Sequence, residues 1–415
     1  MTDANRNWAG NITYGTNSVH TPANLAELQE TVRRVRKARA LGSRHSFNRI
    51  SDTPDDLISL KRFDRILKID SAARTVTVEG GITYGQLSPV LDAAAFALRN
   101  LASLPHISVV GACATATHGS GNANQNLATA VAALDFVTAT GDIVSLKRGD
   151  AGFEGAVVNL GALGIVSTVT LDLVPRFDVR QTIYLDLPFA AYVDNFEAIT
   201  GSAYSVSAFT HWHGDNIAHV WLKALADAPE RTGDLFGAHP ADRSYHPIAA
   251  MDAAPATEQM GEPGPWYLRL PHFRMEFSPS AGAELQTEYF VPRQQGPAAL
   301  RAMHAVQDKF AHLLMVSELR TIAADQLWLS SAYQQDCLAF HFTWHPDWAA
   351  VQKVLPVIEA TLRPFAVRPH WGKLFTMPKA EVQARWPKLA DFRELARRFD
   401  PEGKFRNAFI DEFVF

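Results

Sequence analysis

Leu41-Gly42-Ser43-Arg44-His45-Ser46-Phe47-Asn48, and the longer run from Pro105-His106-Ile107-Ser108 through Gly111 to Thr117-His118-Gly119-Ser120-Gly121, decide how this chain is read. Each follows an apolar segment, and each is built from residues small enough to let backbone N–H groups approach a phosphate closely. As a pair they read as two walls of one cofactor cleft. Neither contains GxGxxG or the GxxxxGK(S/T) of a P-loop, which argues against the ordinary dinucleotide fold and against P-loop chemistry. In the second wall Ser108, Gly111, Thr115, Thr117 and His118 can offer hydroxyl and backbone donors to a pyrophosphate. Taken singly, that run reads equally well as a small-residue turn packed on a helix, and His45 as a surface histidine in a turn. Two such loops, at a separation that lets both line one crevice, shift both readings toward a cofactor.

At 415 residues the chain exceeds what one core accommodates, about 250 to 300 residues, so two domains are expected. Hydrophobic content of 47%, charged content of 20% and aromatic content of 10% describe a soluble globular protein. A formal charge of −4 gives no electrostatic reason to expect nucleic acid or an anionic membrane as partner. Met1 to Trp8 has no apolar signal core, and no run approaches the roughly 20 apolar residues of a membrane span. A cytoplasmic, monomeric protein is expected, with Cys113 and Cys337 as buried free thiols in a reducing compartment.

Leu25 to Val35 carries helical spacing, with Leu25, Leu28, Val32 and Val35 on one face. Short strands follow at Ala38 to Leu41, Ile58 to Leu60, Ile66 to Ile69 and the alternating Thr75-Val76-Thr77-Val78, which ends at Gly80-Gly81. Tyr84 to Leu98 returns to a helical pattern, and Leu134 to Ala139 with Ile143 to Leu146 reads as a hairpin turned at Gly141. Gly161 to Val166, which includes Ile165, leads into a strand from Thr168 to Leu173 that Pro175 closes. The result is an α+β unit over residues 1–175. Beyond it aromatics and histidines become denser, and Ala224 to Pro265 reads as a proline-containing surface excursion. Strands are expected at Thr287 to Val291, Val316 to Ile322 and Leu338 to Trp344, and a helix at Trp348 to Leu362.

Glu318 and Arg320 are separated by one residue, so on a strand both point to one side; His341 and Thr343 repeat the arrangement. Such pairs usually decorate a half-exposed strand face. Two neighbouring strands presenting all four to one face would instead make a polar patch suited to hydroxyl groups. His370-Trp371-Gly372-Lys373 adds a lysine that Pro369 and Trp371 would partly bury. His211-Trp212-His213 could set two imidazoles on one side of a strand, but no companion cysteine or HExxH pattern accompanies them, and no metal site is expected.

With these residues in place, the whole chain, from Asn7-Trp8-Ala9-Gly10-Asn11 to Gly403-Lys404-Phe405-Arg406-Asn407, resembles the bacterial alditol oxidases. These are a branch of the FAD-dependent vanillyl-alcohol oxidase superfamily. The most specific segments are Ala102 to Ser108, Glu318-Leu319-Arg320-Thr321 and Arg368 to Lys373. The resemblance implies the two-domain vanillyl-alcohol oxidase-type α+β fold. An FAD-binding domain over 1–175 would be followed by a substrate domain of antiparallel sheet over 176–370, with 371–415 returning to the first. It further implies FAD bonded covalently to His45. The implied cofactor contacts are Leu41, Gly42, Ser43, Arg44, His45, Ser46, Phe47, Ser103, Ser108, Gly111, Thr115, Ala116, Thr117, His118, Ile165 and His370. Ser103, Glu318, Arg320, Thr343 and Lys373 match the polyol-binding positions.

The implied reaction oxidises the terminal alcohol of an alditol such as xylitol, sorbitol or glycerol to the aldose, with O2 reduced to hydrogen peroxide. Lys373, Arg320 and His341 carry the catalysis, Lys373 being assigned as proton acceptor because arginine stays charged, with His341 as its competitor. Two other readings stay open. One is an aldonolactone oxidase or dehydrogenase, which shares the Glu-x-Arg and His-Trp-Gly-Lys elements; the other is a flavin-storing or sugar-sensing protein without turnover. Arg44 and Ala116 stand where relatives commonly carry glycine. Arg44 is costly only if that glycine needs positive φ, and Ala116 is expected to be a mild change.

Overall fold

In the computed structural model, which describes residues 5–249, 251–278 and 280–415, the chain opens with β1 (Val19–His20), β2 (Ala38–Leu41) and β3 (Asp56–Ser59). Met1 to Ala4, part of the segment read above for a signal core, and Ala250 of the expected excursion lie outside the described residues. The three strands form a parallel sheet in the order β1-β3-β2. The helix Leu25–Arg34 between β1 and β2 buries Leu28, Thr31 and Val32; Asn24 caps it by accepting from the Glu27 N–H, and Arg33 and Arg34 sit in its last turn.

The next strands are β4 (Ile66–Asp70), β5 (Thr75–Glu79), β6 (Phe96–Ala97), β7 (Val131–Val137), β8 (Ile143–Lys147) and β9 (Ile165–Asp172). All but β6 make a 5-stranded antiparallel sheet ordered β4-β5-β9-β7-β8, while β6 pairs with β10 (Val174–Pro175). The helical reading of Tyr84 to Leu98 proves too long. The helix closes at Ala93, Ala95 takes φ +63°, and Phe96 and Ala97 turn into a strand. Ala97 and Leu98 remain in the core, so the apolar pattern runs on past the helix that starts it.

The rest of the strands are β11 (Asp178–Pro188), β12 (Ser205–Thr210), β13 (Asn216–Leu225), β14 (His239–Pro240), β15 (Gly264–Pro265), β16 (Leu285–Pro292), β17 (Leu314–Ile322), β18 (Cys337–Trp344) and β19 (Arg368–Pro369). They form one 9-stranded antiparallel sheet, ordered β14-β11-β13-β12-β17-β18-β16-β19, with β15 also on β11. β17 and β18 are buried almost throughout. One reason is the helix Trp348–Leu362, whose Val351, Leu355, Ile358 and Leu362 share a core with Phe340, Phe342 and Trp344. Among the described residues no helix is long and apolar enough to cross a membrane. Cys113 and Cys337 are buried free thiols.

After β19 the chain goes back to its beginning. The helix Leu389–Phe399 sets Phe399 edge-on against Phe136 of β7, with ring centroids 5.0 Å apart. Asn407 donates to the carbonyls of Arg49, Ile50 and Asp52, and Ala38 N–H donates to Lys404 O. Arg39, in β2, is fully enclosed and donates to the carbonyls of Ile50, Leu160, Gly161 and Phe405. Burial lowers its pKa only to about 10, so the guanidinium keeps its charge and its donors.

Two expectations change here. His211-Trp212-His213 does not lie on a strand; β12 ends at Thr210 and Trp212 takes φ +54° in the turn beyond. The excursion after Ala224 is not wholly surface: β13 runs to Leu225, His246, Thr257 and Gln259 are buried, and Pro247 and Ile248 line the central cavity. Proline content marked it as irregular, which it is, but irregular backbone can still cover a cleft.

Candidate active site

The Leu41–Asn48 loop leaves β2 and is pinned from behind. Phe47 N–H donates to Gly372 O at 2.8 Å, Asn7 and Asn11 donate to Ser46 O and Phe47 O, and Asn48 donates to the carbonyls of Trp371 and Lys373. The loop opposite begins where Ser108 starts the helix Val109–Ala114. The walls touch at Ser108 N–H, which donates to Ser43 Oγ at 3.2 Å. A Cβ on Gly42 would come within 3.0 Å of Ser108 Oγ, and one on Gly111 within 2.7 Å, so a side chain at either would displace the Ser108 hydroxyl.

Between the walls and β16, β17 and β18 lies one cavity of about 1860 Å³, its open mouth included. Of the residues expected at the site, all line it except Ala116, which is buried in the core. Ala116 takes φ +55° and Arg44 φ +65°, both left-handed. So Ala116 is not the mild change expected: each position asks an L residue for a conformation that costs about 1 to 2 kcal/mol and that glycine would take freely.

Several polar atoms in the cleft find no partner within the chain. Both ring nitrogens of His45 and the Oγ of Ser108 are buried without a hydrogen-bond partner, an arrangement folded proteins rarely leave in place. The His45 ring stacks on Trp8 with centroids 5.2 Å apart, and burial, followed by the charges of His106 and Lys373, pushes its pKa down to about 3. It is a neutral, desolvated imidazole. A cofactor with a phosphate chain and an electrophilic ring fits these loops.

The opposite side of the cavity is a polar sheet face. Register sets Glu318 of β17 beside His341 of β18, and His341 beside Glu288 of β16; one step along, Val316, Thr343 and Gln286 make a second row. Arg320 Nη2 donates to Glu288 Oε1 at 2.8 Å, Nη1 to Ser103 Oγ at 3.3 Å, and Nε lies 3.5 Å from Glu318 Oε2. Glu288 is further met by His118 Nε2 at 3.1 Å and His341 Nδ1 at 3.4 Å. Burial favours the neutral carboxyl, but His118, His341 and the Arg320 guanidinium hold Glu288 well below the usual carboxylate range. Burial likewise works against the charge on Arg320, and Glu318 and Glu288 outweigh it. For His341 burial wins and its pKa is lowered.

Lys373 reaches the same face from its loop. Its Nζ donates to Gln286 Oε1 and lies 4.6 Å from the Phe47 ring centroid. Burial, partly offset by Glu288, pushes it down to about 8. His370 Nδ1 accepts from Gly372 N–H at 2.9 Å, which fixes the ring of this histidine against Phe290.

Sequence reasoning missed Glu288, Gln286, His272 and Lys223. Gln286 and Glu288 obey the same alternation that revealed Glu318 and Arg320, and were findable next to a strand that the sequence already predicts. His272 and Lys223 carried no pattern at all. His272 Nε2 lies 2.7 Å from Glu318 Oε1, on a segment whose two N–H groups at His272 and Phe273 both donate to Ser103 O.

The FAD binding domain family matches residues 17–147, and the family described as D-arabinono-1,4-lactone oxidase matches residues 283–413. An alditol oxidase of a Streptomyces species is 46% identical over the whole of both chains. An L-gulono-1,4-lactone dehydrogenase of Mycobacterium tuberculosis is 29% identical over 97% of this chain and 96% of its own. In fold, a cholesterol oxidase from B. sterolicum superimposes with a TM-score of 0.81 at 13% identity, covering 99% of this chain and 96% of that one. A carbohydrate oxidase from Microdochium nivale gives 0.75 at 13% identity, covering 99% and 94%. Fold and sequence together define an FAD-dependent oxidoreductase of the vanillyl-alcohol oxidase type. Within that class the chain belongs to the alditol oxidase family.

Proposed function

We propose that this protein oxidises the terminal carbinol of an acyclic alditol to the aldose and reduces O2 to hydrogen peroxide. The observation that carries the reading is the polar face of β16, β17 and β18, set across one cavity from the two loops of the FAD domain. When bound, FAD supplies the acceptor for the electrons of the carbinol and passes them to O2. Leu41 to Phe47 and Ser108 to Thr117 would hold it, with His45 as the point of covalent attachment and His118, Ile165 and His370 beside it.

Ser103, Glu318, Arg320, Thr343 and Lys373 offer more hydrogen-bonding groups than a simple alcohol could satisfy, and polar groups left unpaired in a buried site are costly. A chain of adjacent hydroxyls such as xylitol or sorbitol would use them all. The geometry favours His341 over Lys373 as acceptor of the hydroxyl proton. With Nδ1 3.4 Å from Glu288 Oε1, Nε2 is the nitrogen left to act as base, hydrogen-bonded at 3.4 Å to Thr343 Oγ1, one of the polyol-binding groups. Glu288 then orients the ring and stabilises the imidazolium it becomes, as the acidic member of a triad does. Lys373 and Arg320 stay cationic and stabilise the alkoxide that develops. Ala102, small and at the cavity wall, leaves room for O2.

The test is to incubate the purified protein with xylitol, sorbitol, glycerol and aldonolactones, detecting peroxide and separating the products. Aldose from the terminal carbon is expected, with affinity falling as the chain shortens. A ketose, or turnover of lactones alone, would overturn the proposal; the lactone outcome would support the second reading, which the match at residues 283–413 keeps in view.

A further inference from the structure

Two strands over from Glu318, on the same face of the sheet but outside the cavity lining, a lysine is buried. Lys223 of β13 is 1% exposed. Burial, partly offset by Glu318, lowers its pKa to about 7; below that value its ammonium donates to Leu270 O, to Pro271 O at 3.0 Å and to His272 Nδ1 at 3.0 Å, which uses all three of its protons. An Nδ1 that accepts is unprotonated, so a neutral His272 carries its proton on Nε2, the atom 2.7 Å from Glu318 Oε1. Neutrality is expected: burial, then the nearby Lys223 charge, lowers the His272 pKa to about 4, and Phe209 and Trp221 box the ring with centroids 5.5 and 5.2 Å away. With the other tautomer, an imidazole lone pair would face the Glu318 carboxylate at 2.7 Å.

We propose that Lys223 and His272 are positioning residues for substrate specificity: Lys223 fixes the His272 tautomer, and His272 in turn holds Glu318 as an oriented carboxylate that accepts one internal hydroxyl of the substrate. The inference rests on the reading of Glu318 as a polyol-binding residue. Glu318 Oε1 is taken by His272, and Oε2 lies beside Arg320 Nε, so what remains open toward the cavity is a defined set of acceptor positions rather than a swinging side chain. The same segment fixes Ser103 through the His272 and Phe273 N–H groups. One loop therefore sets the spacing between two groups that grip the substrate from different domains.

Two measurements test it. The first needs no substrate: nitrogen-15 NMR of histidine-labelled holoenzyme at a pH below 7 should show His272 protonated at Nε2 and bare at Nδ1, and Lys223→Met, which removes the donor to Nδ1, should let Nδ1 take up a proton, as the other tautomer or as imidazolium. An Nδ1-protonated His272 in the wild type, or an Nδ1 that stays bare in Lys223→Met, overturns the proposal. The second is a mutant cycle on kcat/KM for xylitol. Lys223→Met and Glu318→Gln should each lose roughly 10-fold or more, the scale of one buried hydrogen bond to a charged group, chiefly as raised KM. The double variant should be little worse than Glu318→Gln alone, and a polyol lacking one internal hydroxyl should be insensitive to Lys223→Met. Losses that multiply would mean that Lys223 acts on the fold and not through Glu318. Should Lys223→Met fail to fold, His272→Gln, whose amide donor has no tautomer to set, keeps the question open to measurement: it should retain most of the activity, whereas His272→Phe should not. A wild type inactive on every polyol, with the expected tautomer, would reject the substrate reading and leave the relay standing.

Discussion

The two sides of the cavity are built on opposite principles. The loop side consists of small residues and unspent donors: Gly42 and Gly111 at contact distance from Ser108, a desolvated His45, a partnerless Ser108 hydroxyl. The sheet side is paired largely within itself, with Glu288 alone meeting His118, Arg320 and His341, although Arg320 Nε and His341 Nδ1 are short of a hydrogen-bond partner. Buried donors and acceptors with no partner in the chain suit a ligand that stays bound. Charged groups that pair with one another are held in place for a ligand that comes and goes. The contrast fits the proposed division, with cofactor on the loop side and substrate on the sheet side.

The sharpest way to break the comparison is at His45. Acid-precipitated protein should remain yellow, and His45→Ala should release all its flavin under the same treatment; flavin found wholly in the supernatant of the unmodified protein would remove the covalent link. On the sheet side, Arg320→Ala and Lys373→Ala should slow flavin reduction in stopped flow by roughly 10²-fold or more, the cost of losing one preorganised electrostatic donor. Arg320 should be the worse of the two, since its loss strands two buried carboxylates. A rise in KM with an unchanged reduction rate would make either residue a binding group only.

The pH profile separates the roles of Lys373 and His341. A lysine whose pKa burial lowers to about 8 is charged below that value and neutral above it. If it serves as a cation, kcat/KM falls as pH rises through about 8, and Lys373→Arg, always charged, carries activity to higher pH. A profile that instead climbs through that value would restore Lys373 as the base. The smallest effect is expected on the loop side. Arg44→Gly relieves a left-handed φ of +65° and should stabilise the protein by about 1 kcal/mol in denaturant titration.

Legibility in the sequence follows the same division. The loops were readable because their chemistry is contiguous: a run of glycine, serine and histidine carries its meaning with it. On the sheet, Glu318 with Arg320 and His341 with Thr343 were visible through period-two spacing, and their strands proved to be neighbours in register. Gln286 and Glu288 obey the same rule one strand further on, but alternation alone does not say which face of that strand meets the cavity. Lys223 and His272 belong to no local pattern; 49 residues separate them, and only the path of the loop after β13 brings them together. The end of the helix at Ala93 was hidden because burial continues past it. The left-handed backbone at Arg44 and Ala116 was hidden because no side chain announces it.

The carbonyl knot around Arg39 has a consequence for how the protein comes into being. Its guanidinium binds Phe405 O, 366 residues downstream. At a synthesis rate of about 5 to 20 residues per second, roughly 20 to 70 s pass between the emergence of the arginine and that of its last partner. Throughout that interval β2 and the His45 loop that follows it cannot be closed from below, although every other residue of the cofactor cleft except the His370 to Lys373 loop has long been made. Completion of the cleft around a flavin is therefore expected only once the C-terminal turn has been made, and a chain that stops before Phe405 leaves the Arg39 guanidinium one carbonyl short.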